Sequence, residues 1–287
     1  MLERIIEQFG LQLVSINEVE DSYSSSVYKC KLRKGETIFI KIPYSKLKFQ
    51  RELEAYNLLK GKIVVPELLD YWTGDEGCPG AFLLSELKGE PLSQAASPIT
   101  AYHVGIVHAS LHSIQPSDKD ELIAIQNEFP NWSEFLQRLF YSFADYTKDL
   151  LDESLYKQAI DKFEIMKQQL PSPDGPSFVH MDFRPGNIIV NGNQVSGIID
   201  FESVRFGSTE IDFTKLYRDF LSSDNGLYLA YKEGYQSIRP LLNLEIVLPF
   251  YQFTDAFNSI GWCKKRGVEK NAAFLEKNLA ILKKWLP

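Results

Sequence analysis

The feature that most constrains the fold is a short island of strand patterns inside a chain segment whose hydrophobic periodicity is otherwise helical. Residues 171–176 carry three prolines and a glycine, which end the preceding helical pattern. Short apolar runs follow at residues 177–179, 188–190 and 195–199, and a turn at residues 191–193 joins the last two as a hairpin. Because helical patterns flank the island on both sides, the sequence predicts a mostly helical domain built around a small β-hairpin.

Polar side chains lie where these predicted strands begin and end. Residues 180–187 read HMDFRPGN, and the last strand ends at Asp200. Phosphoryl transfer to an alcohol needs a group that orients the hydroxyl or accepts its proton, together with oxygen ligands for magnesium. Asp182 suits the first role. Asn187 and Asp200 suit the second, because an amide oxygen beside one carboxylate leaves the ion positive enough to hold a triphosphate.

The order and spacing of these residues resemble the catalytic and metal-binding loops of kinases. Asp182 and Asn187 form the pattern D-x-x-x-x-N, and Asp200 follows thirteen residues later at the end of an apolar strand. His180 before Asp182, and Phe-Glu after Asp200, make the segment similar to the aminoglycoside phosphotransferase and choline kinase family.

This resemblance implies a two-lobed α+β fold of the protein kinase-like type. The first lobe would contain a small antiparallel sheet and a helix, and the second lobe would be mostly helical. The implied activity is ATP- and Mg²⁺-dependent transfer of the γ-phosphate to a hydroxyl of a small molecule.

Other polar residues near the motif are expected to support the catalytic loop. Arg184 either steadies the transferring phosphoryl group or has a structural role, in packing or in a pair with Glu202. His180 is expected to shape the loop by hydrogen bonding. Asp212 resembles the late aspartate with which the family braces that loop, and we interpret it as structural.

The first part of the chain provides an independent test, because a kinase needs a lysine on an inner strand and a helix carboxylate that holds it. The patterns predict strands over residues 11–19, 27–32 and 37–42, a helix over 46–60 and a further strand over 81–87. The sequence therefore predicts a small sheet with one helix in this part of the chain.

Lys41 interrupts an otherwise apolar strand and is the candidate for contacting the nucleotide phosphates. Glu52 on the following helix is its candidate partner, at the position that the family resemblance implies, and Glu54 is the rival. The alternatives are a lysine on an edge strand and a solvated glutamate.

The loop that would cover the phosphates contains serines but no glycine, which departs from protein kinases. Ser24, Ser25 and Ser26 are candidate phosphate contacts, with a plain polar turn as the alternative. Main-chain groups of Glu86 and Leu87, at the end of the last strand of this part, are the candidates for pairing with adenine.

The length of 287 residues exceeds that of a usual single core, so two lobes are expected. The loop over residues 88–98, which carries a glycine and two prolines, marks the boundary. We therefore expect a nucleotide-binding lobe over 1–87 and a catalytic and substrate-binding helical lobe over 88–287.

Charge and composition narrow the choice of partners. The net charge of −7 argues against broad attraction to nucleic acid or to an anionic membrane, so neither is expected as a partner. The first thirteen residues include charged side chains and match neither a signal peptide nor a membrane span, which predicts a cytoplasmic protein.

The histidines and cysteines do not have the spacing of a metal site. His103, His108 and His112 follow each other at five and four residues on one predicted helix, which does not bring all three to one face. They are expected in the core or on the surface. The cysteines are odd in number and far apart, so reduced structural thiols are expected at Cys30, Cys78 and Cys263.

The acceptor is expected to be a small hydroxylated metabolite or natural product and not a polycationic aminoglycoside. The segment 260–287 has seven basic and two acidic residues, although residues 88–258 are acidic and the basic segment can also be a solvated helix face. The main alternative function is a catalytically inactive, nucleotide-binding pseudokinase that serves as a scaffold or sensor. The sequence leaves open the acceptor's identity, the choice of ATP or GTP and the oligomeric state.

Overall fold

A computed structural model describes residues 1–19, 25–117 and 121–287 of the chain. Its first part contains a five-stranded antiparallel sheet in the order β1-β2-β3-β5-β4. The inner strands are the most buried, as their runs of isoleucine, leucine and phenylalanine predict. The strands are β1 (Leu13–Glu18), β2 (Ser26–Leu32), β3 (Thr37–Ile42), β4 (Leu68–Trp72) and β5 (Ala81–Ser85).

Two helices accompany this sheet: α1 (Leu2–Gln8) and α2 (Lys46–Leu59). Helix α2 begins after Ser45, whose side chain accepts the N–H of Lys48 at 3.4 Å. It ends before Gly61, whose φ of 73° suits a residue without a side chain. The predicted helix is therefore confirmed, whereas α1 and β4 were not predicted because both are short and lack a clear periodic pattern.

The second part of the chain is mostly helical, as predicted. The helical pattern that follows the strand island begins at residue 210 and consists of four helices. Two of them begin after capping residues, Asp224 and Asn243, whose side chains accept N–H groups of the next helix. None of the described helices is long and apolar enough to cross a membrane. The helices are α3 (Pro98–His112), α4 (Trp132–Lys148), α5 (Glu153–Gln168), α6 (Glu210–Asp219), α7 (Asn225–Gln236), α8 (Leu244–Arg266) and α9 (Ala272–Lys283).

The predicted strand island is present between α5 and α6. Strand β8 (Ile188–Asn191) pairs with β9 (Gln194–Ile198) as the expected hairpin, and β6 (Glu90–Pro91) adds a third strand beside β8. Strand β7 (Ser177–Val179) pairs with β10 (Arg205–Gly207) in a separate two-stranded sheet. Residues 180–187 therefore connect the two-stranded sheet to the base of the β8–β9 hairpin.

Close packing of helices α3 and α7 forms one wall of the helical core. A side-chain carbon at Gly105 would lie 2.2 Å from the carbonyl oxygen of Tyr231, and one at Gly234 would lie 1.9 Å from that of Tyr102. Only glycine permits this approach. The aromatic residues Tyr251, Phe253 and Phe257 of α8 are buried and belong to the same core.

The connection between the sheet and the helical part runs directly over the β8–β9 hairpin. Gly89 has a φ of 120°, and a side-chain carbon there would lie 2.0 Å from the carbonyl oxygen of Val190. On the opposite side of the hairpin, Ile198 N–H donates to the carbonyl of Val64 at 3.0 Å. The base of the hairpin is thus held against the first part of the chain, while the lobe boundary between residues 87 and 88 stays a prediction.

Candidate active site

Asn187 and Asp200 lie side by side at the base of the β8–β9 hairpin. The strands pair Ile188 with Ile198, and Ile199 N–H donates to the carbonyl of Asn187 at 3.0 Å. Asp200 has a φ of 72°, a left-handed conformation that is uncommon for a residue other than glycine. Such a conformation persists where surrounding contacts impose it, and here the carboxylate contacts Lys41.

Lys41 lies on the inner strand β3, between β2 and β5, so the edge-strand alternative was wrong. Its ammonium group contacts Glu52 Oε1 and Asp200 Oδ1, each at 2.7 Å. The buried ammonium group of Lys41 thereby connects the sheet to helix α2 and to the base of the hairpin. Glu54, the rival partner, points elsewhere and accepts backbone N–H groups from the segment around Ala124.

The three groups of this cluster shift one another's pKa values. Burial acts against the charge of Lys41, but Asp200 and Glu52 outweigh it and raise the pKa of the lysine well above its ordinary value. Burial also acts against ionisation of Asp200, yet Lys41 outweighs it and lowers the pKa of that carboxyl. Burial raises the pKa of Glu52 to about 7. Lys41 and Asp200 are therefore the ionised pair, and Glu52 is the group closest to neutrality.

Asp182 is held by three donors. Lys215 contacts its Oδ1 at 2.5 Å, and Arg184 Nε and Asn187 Nδ2 donate to Oδ2 at 3.1 and 3.0 Å. Arg184 therefore pairs with Asp182, and the suggested pair with Glu202 was wrong. Lys215 was not predicted, because α6 joins the loop only through the tertiary fold. Burial raises the pKa of Asp182, but Lys215 and Arg184 outweigh it and lower the pKa to about 2.

Asp212 fixes the backbone of the loop that carries Asp182. Its Oδ2 accepts the N–H of His180 at 2.5 Å, and its Oδ1 accepts that of Met181 at 2.7 Å. Met181 has a φ of 68°, so the loop is strained at this residue as well. His180 in turn contacts the carbonyl of Ile199 at 3.0 Å. These contacts connect the two loops that carry Asp182 and Asp200.

Two of the three helix histidines also contact Asp212. Nε2 of His112 lies 3.3 Å and that of His108 3.9 Å from Asp212 Oδ2, and both rings are fully buried. His103 lies apart and contacts the carbonyl of Asn193 at 2.7 Å. The histidines at i and i+4 are thus core residues that share one carboxylate, an arrangement that the sequence did not reveal because Asp212 lies 100 residues away.

Glu202 belongs to a further ion pair that the sequence did not predict. Its Oε1 contacts Lys48, on the first turn of α2, at 2.5 Å. Carboxylate oxygens of Glu52, Asp200 and Glu202 lie within 4.8 Å of one another. The two lysines on either side of this acidic group, Lys41 and Lys48, offset its repulsion.

The remaining candidates for nucleotide contact precede or begin β2, or follow β5, in the chain. Ser26 begins β2 and pairs with Ile42, the residue after Lys41, while Ser25 lies one residue earlier and Ser24 lies outside the described residues. Glu86 and Leu87 follow β5 and are not part of it. The Glu86 carboxylate pairs with Lys29 at 2.9 Å, and the Leu87 side chain packs close to Gly197 of the hairpin.

Charged side chains continue along α6 from Lys215. Arg218 pairs with Asp219 at 2.6 Å and with Asp255 of α8. Lys277 of α9 contacts Asp219 at 2.9 Å. Burial opposes the charge of Lys215, but Asp182 and Asp255 outweigh it and raise the pKa of the lysine. A row of alternating charges therefore extends from Asp182 along α6.

The basic C-terminal segment divides between this row and other surfaces. Lys277 joins the row, and Arg266 stacks on the ring of Tyr44, which follows β3, at 3.9 Å. Lys264 and Lys265 instead contact the C-terminal end of α4. The segment is thus neither wholly a solvated face nor wholly directed at the site.

The comparison of the sequence with family models and curated proteins identifies relatives. A model described as "Phosphotransferase enzyme family" matches residues 15–244. The homoserine kinase of Neisseria meningitidis serogroup B (strain ATCC BAA-335 / MC58) is 25% identical over 249 residues, which cover 80% of this chain and 76% of that protein. The homoserine kinase of Rhizobium rhizogenes (strain K84 / ATCC BAA-868) is 34% identical over 79 residues, 26% of this chain and 24% of that protein.

Solved structures share the fold at low sequence identity. The GDP and kanamycin complex of APH(2")-IIia has a TM-score of 0.77 and 16% identity, covering 99% of this chain and 97% of that chain. The macrolide 2'-phosphotransferase MphH from Brachybacterium faecium has a TM-score of 0.72 and 14% identity, covering 98% and 97%. The predicted two-lobed, protein kinase-like architecture is confirmed by this likeness.

Proposed function

Because the chain belongs to the phosphotransferase enzyme family, we propose that ATP binds beside Lys41 and that Asp182 receives the acceptor hydroxyl. The chain is a kinase that transfers a phosphoryl group from ATP to a hydroxyl group of a small molecule. The observation that supports this site is the convergence of Lys41, Asn187 and Asp200 near Asp182. Lys41 contacts Asp200, Asn187 donates to Asp182, and the carbonyl of Asn187 accepts the N–H of the residue before Asp200.

Asp182 would orient the acceptor. Its pKa of about 2 keeps it ionised at neutral pH, so the carboxylate can accept the hydroxyl hydrogen but is a weak base. Proton transfer is then expected late, as the new oxygen–phosphorus bond forms, which suits a loose transition state. Arg184 and Lys215, which flank the carboxylate, would offset negative charge on the transferring group.

Asn187 and Asp200 would hold magnesium. Asn187 directs its Nδ2 at Asp182, which leaves its Oδ1 as the possible ligand, and Asp200 supplies a carboxylate that is about a quarter exposed. Hard oxygen donors of this kind fit Mg²⁺, which supplies charge neutralisation at the phosphates when it is bound. Lys41, held by Glu52, would contact a phosphate, and Ser25 and Ser26 would approach the phosphates from the start of β2.

The acceptor that the charge pattern favours is a small zwitterionic alcohol. The row of charges that extends from Asp182 along α6 contains both cationic groups and carboxylates. A polycationic acceptor would instead need an excess of carboxylates. The two curated relatives are homoserine kinases, and homoserine carries one hydroxyl, one ammonium and one carboxylate group. We therefore place hydroxy amino acids such as homoserine first among acceptors.

A steady-state assay with ATP or GTP and a panel of neutral, zwitterionic and polycationic alcohols tests this proposal. Wild-type protein is expected to phosphorylate a zwitterionic alcohol, and Asp182→Asn is expected to lower kcat by roughly 100- to 10,000-fold while nucleotide affinity stays within about twofold. A kanamycin-like substrate turned over with kcat/KM of about 10⁴ M⁻¹s⁻¹ or more would contradict the acceptor class. Nucleotide binding without any turnover across the panel would instead support the inactive pseudokinase.

A further inference from the structure

Glu54 makes a set of backbone contacts that the proposed reaction does not use. Its Oε1 accepts the N–H groups of Ile123 and Ala124 at 3.0 and 2.9 Å, and its Oε2 accepts those of Ala124 and Ile125 at 3.0 and 2.8 Å. The side chain is half-buried, and it belongs to α2, two residues after Glu52. A carboxylate that accepts several backbone N–H groups makes strong, charge-assisted hydrogen bonds.

Arg51, which precedes Glu52 on α2, also contacts the segment that Glu54 binds. Its Nε donates to the carbonyl of Ala124 and its Nη1 to the carbonyl of Glu202, each at 3.2 Å. We use the name α2 clasp for Arg51, Glu54 and the segment of residues 123–125. The clasp ties the helix that carries Glu52 both to the helical part of the chain and to the loop that follows Asp200.

The clasp is continuous with the catalytic loop through backbone hydrogen bonds. Phe206 N–H donates to the carbonyl of Gln126 at 2.9 Å, and Glu128 N–H donates to the carbonyl of Phe206 at 2.8 Å. Phe206 lies in β10, which pairs with β7, and His180 follows β7 directly. An unbroken series of backbone contacts therefore leads from the clasp to the loop that carries Asp182.

We infer that Glu54 is a positioning residue, which holds α2 at the distance that keeps Glu52 against Lys41 while Asp182 is in place. This inference rests on the proposed function, because it assumes that Lys41 contacts ATP. Without the clasp, α2 has fewer ties to the helical part, and Glu52 is free to move away from Lys41. The phosphate-binding lysine would then lose one of its two carboxylate partners.

Glu54→Gln tests the inference, because it keeps the side-chain length but turns one acceptor oxygen into an NH₂ donor that faces N–H groups. We expect kcat/KM for ATP to fall about tenfold or more, while the KM of the acceptor changes less than about twofold. The control is Glu7→Gln, an exposed glutamate on α1 that should behave as wild type. An unchanged kcat/KM for ATP in folded Glu54→Gln would overturn the inference.

A double-mutant cycle with Lys41→Ala separates positioning from a general loss of stability. In the Lys41→Ala background, Glu54→Gln should lower kcat/KM for ATP by less than about twofold, whereas its loss of thermal stability should match that in the wild-type background. Equal kinetic losses in both backgrounds would show that Glu54 acts on structure alone.

Two further measurements keep the test decisive. If Glu54→Gln does not yield folded protein, Arg51→Lys opens the other half of the clasp and is judged by the same two kinetic outcomes. If the wild type binds ATP but turns over no acceptor, the proposed function fails. The dissociation constant of ATP is then measured for each protein of the same double-mutant cycle. An ATP affinity in Glu54→Gln within about twofold of wild type would then overturn the inference.

Discussion

At the scale of single residues, Asp182 shows how the neighbours of a carboxylate determine its charge. Burial alone would favour the neutral acid, but Lys215 and Arg184 stabilise the ionised form and lower the pKa to about 2. Lys215 is the larger of these two influences and makes the shorter contact with Asp182, at 2.5 Å against 3.1 Å for Arg184. The ionised state of Asp182, which binding of the acceptor hydroxyl requires, therefore depends on a lysine of helix α6.

Lys215→Met is predicted to move the acid limb of the pH–kcat profile to higher pH. Without the lysine, burial has more influence on Asp182 and raises its pKa relative to the wild type. Because the protonated carboxyl cannot accept the hydroxyl hydrogen, the variant should lose activity between pH 7 and pH 5 in excess of any loss in the wild type. Profiles over this range test the prediction, with the exposed Lys157→Met on α5 as the control. Parallel acid limbs in Lys215→Met and the control would argue against it.

At the scale of elements, side chains of α3 surround Asp212 of α6, which in turn binds the backbone of the catalytic loop. Two histidines of α3 lie against Asp212 of α6, and each also contacts a tyrosine hydroxyl of α7, at 2.7 Å for His108 and 2.9 Å for His112. Burial lowers the pKa of His108 from 6.5 to about 3 and also lowers that of His112. Both rings are therefore neutral in the folded protein at neutral pH.

The folded protein is predicted to lose stability below pH 6.5 through these histidines. The unfolded chain binds protons near pH 6.5 while the buried rings do not, so stability is complete above this pH and falls as the pH drops towards 3. His108, whose pKa burial lowers to about 3, should by itself cost about 1.4 kcal/mol at pH 5.5. In urea unfolding, His108→Gln should show a smaller difference between pH 7.5 and pH 5.5, by about that amount.

The control for this measurement is His103→Gln, on the same helix but outside the buried cluster. It should keep the pH difference of the wild type. The opposite influence of Glu52 and Glu210, whose pKa values burial raises to about 7, is common to all three proteins and cancels in the comparison. A His108→Gln protein with the wild-type difference would contradict neutrality of the ring.

At the scale of the whole molecule, the site exists only when the sheet and the helical part are together. Lys41 and Asp200 are 159 residues apart in sequence yet share a contact of 2.7 Å. Further contacts between the two parts lie on either side, from Lys48 to Glu202 and from Tyr44 to Arg266. A ligand that binds both parts is therefore expected to stabilise the entire fold, because it binds the native state alone.

ATP with magnesium is predicted to raise the melting temperature, and Asp200→Asn to remove the magnesium-dependent share of that increase. At a ligand concentration about 100 times the dissociation constant, the stabilisation should be about 2.7 kcal/mol, or several degrees. The variant keeps the size of the side chain but removes the charge that complements the cation. Thermal unfolding with ATP, with and without magnesium, checks this. Equal shifts with and without the metal in the wild type would remove Asp200 from the magnesium role.

The sequence by itself determined the local features of this protein. Turn residues and apolar periodicity marked the β8–β9 hairpin and α2, because these patterns depend on neighbours within a few residues. The spacing of Asp182, Asn187 and Asp200 was informative for the same reason, since a loop and a hairpin fix their separation. The positions of Lys41 and Glu52 followed once that motif had indicated the fold.

Only the tertiary structure decided which distant groups meet. Lys215 joins Asp182, Asp212 joins the histidines of α3, and Glu54 binds backbone N–H groups about seventy residues away. None of these contacts has a periodic or local signature, because each depends on how helices and loops pack. Charge on a side chain can be read from the sequence, but its partner, its burial and therefore its pKa are properties of the packed chain.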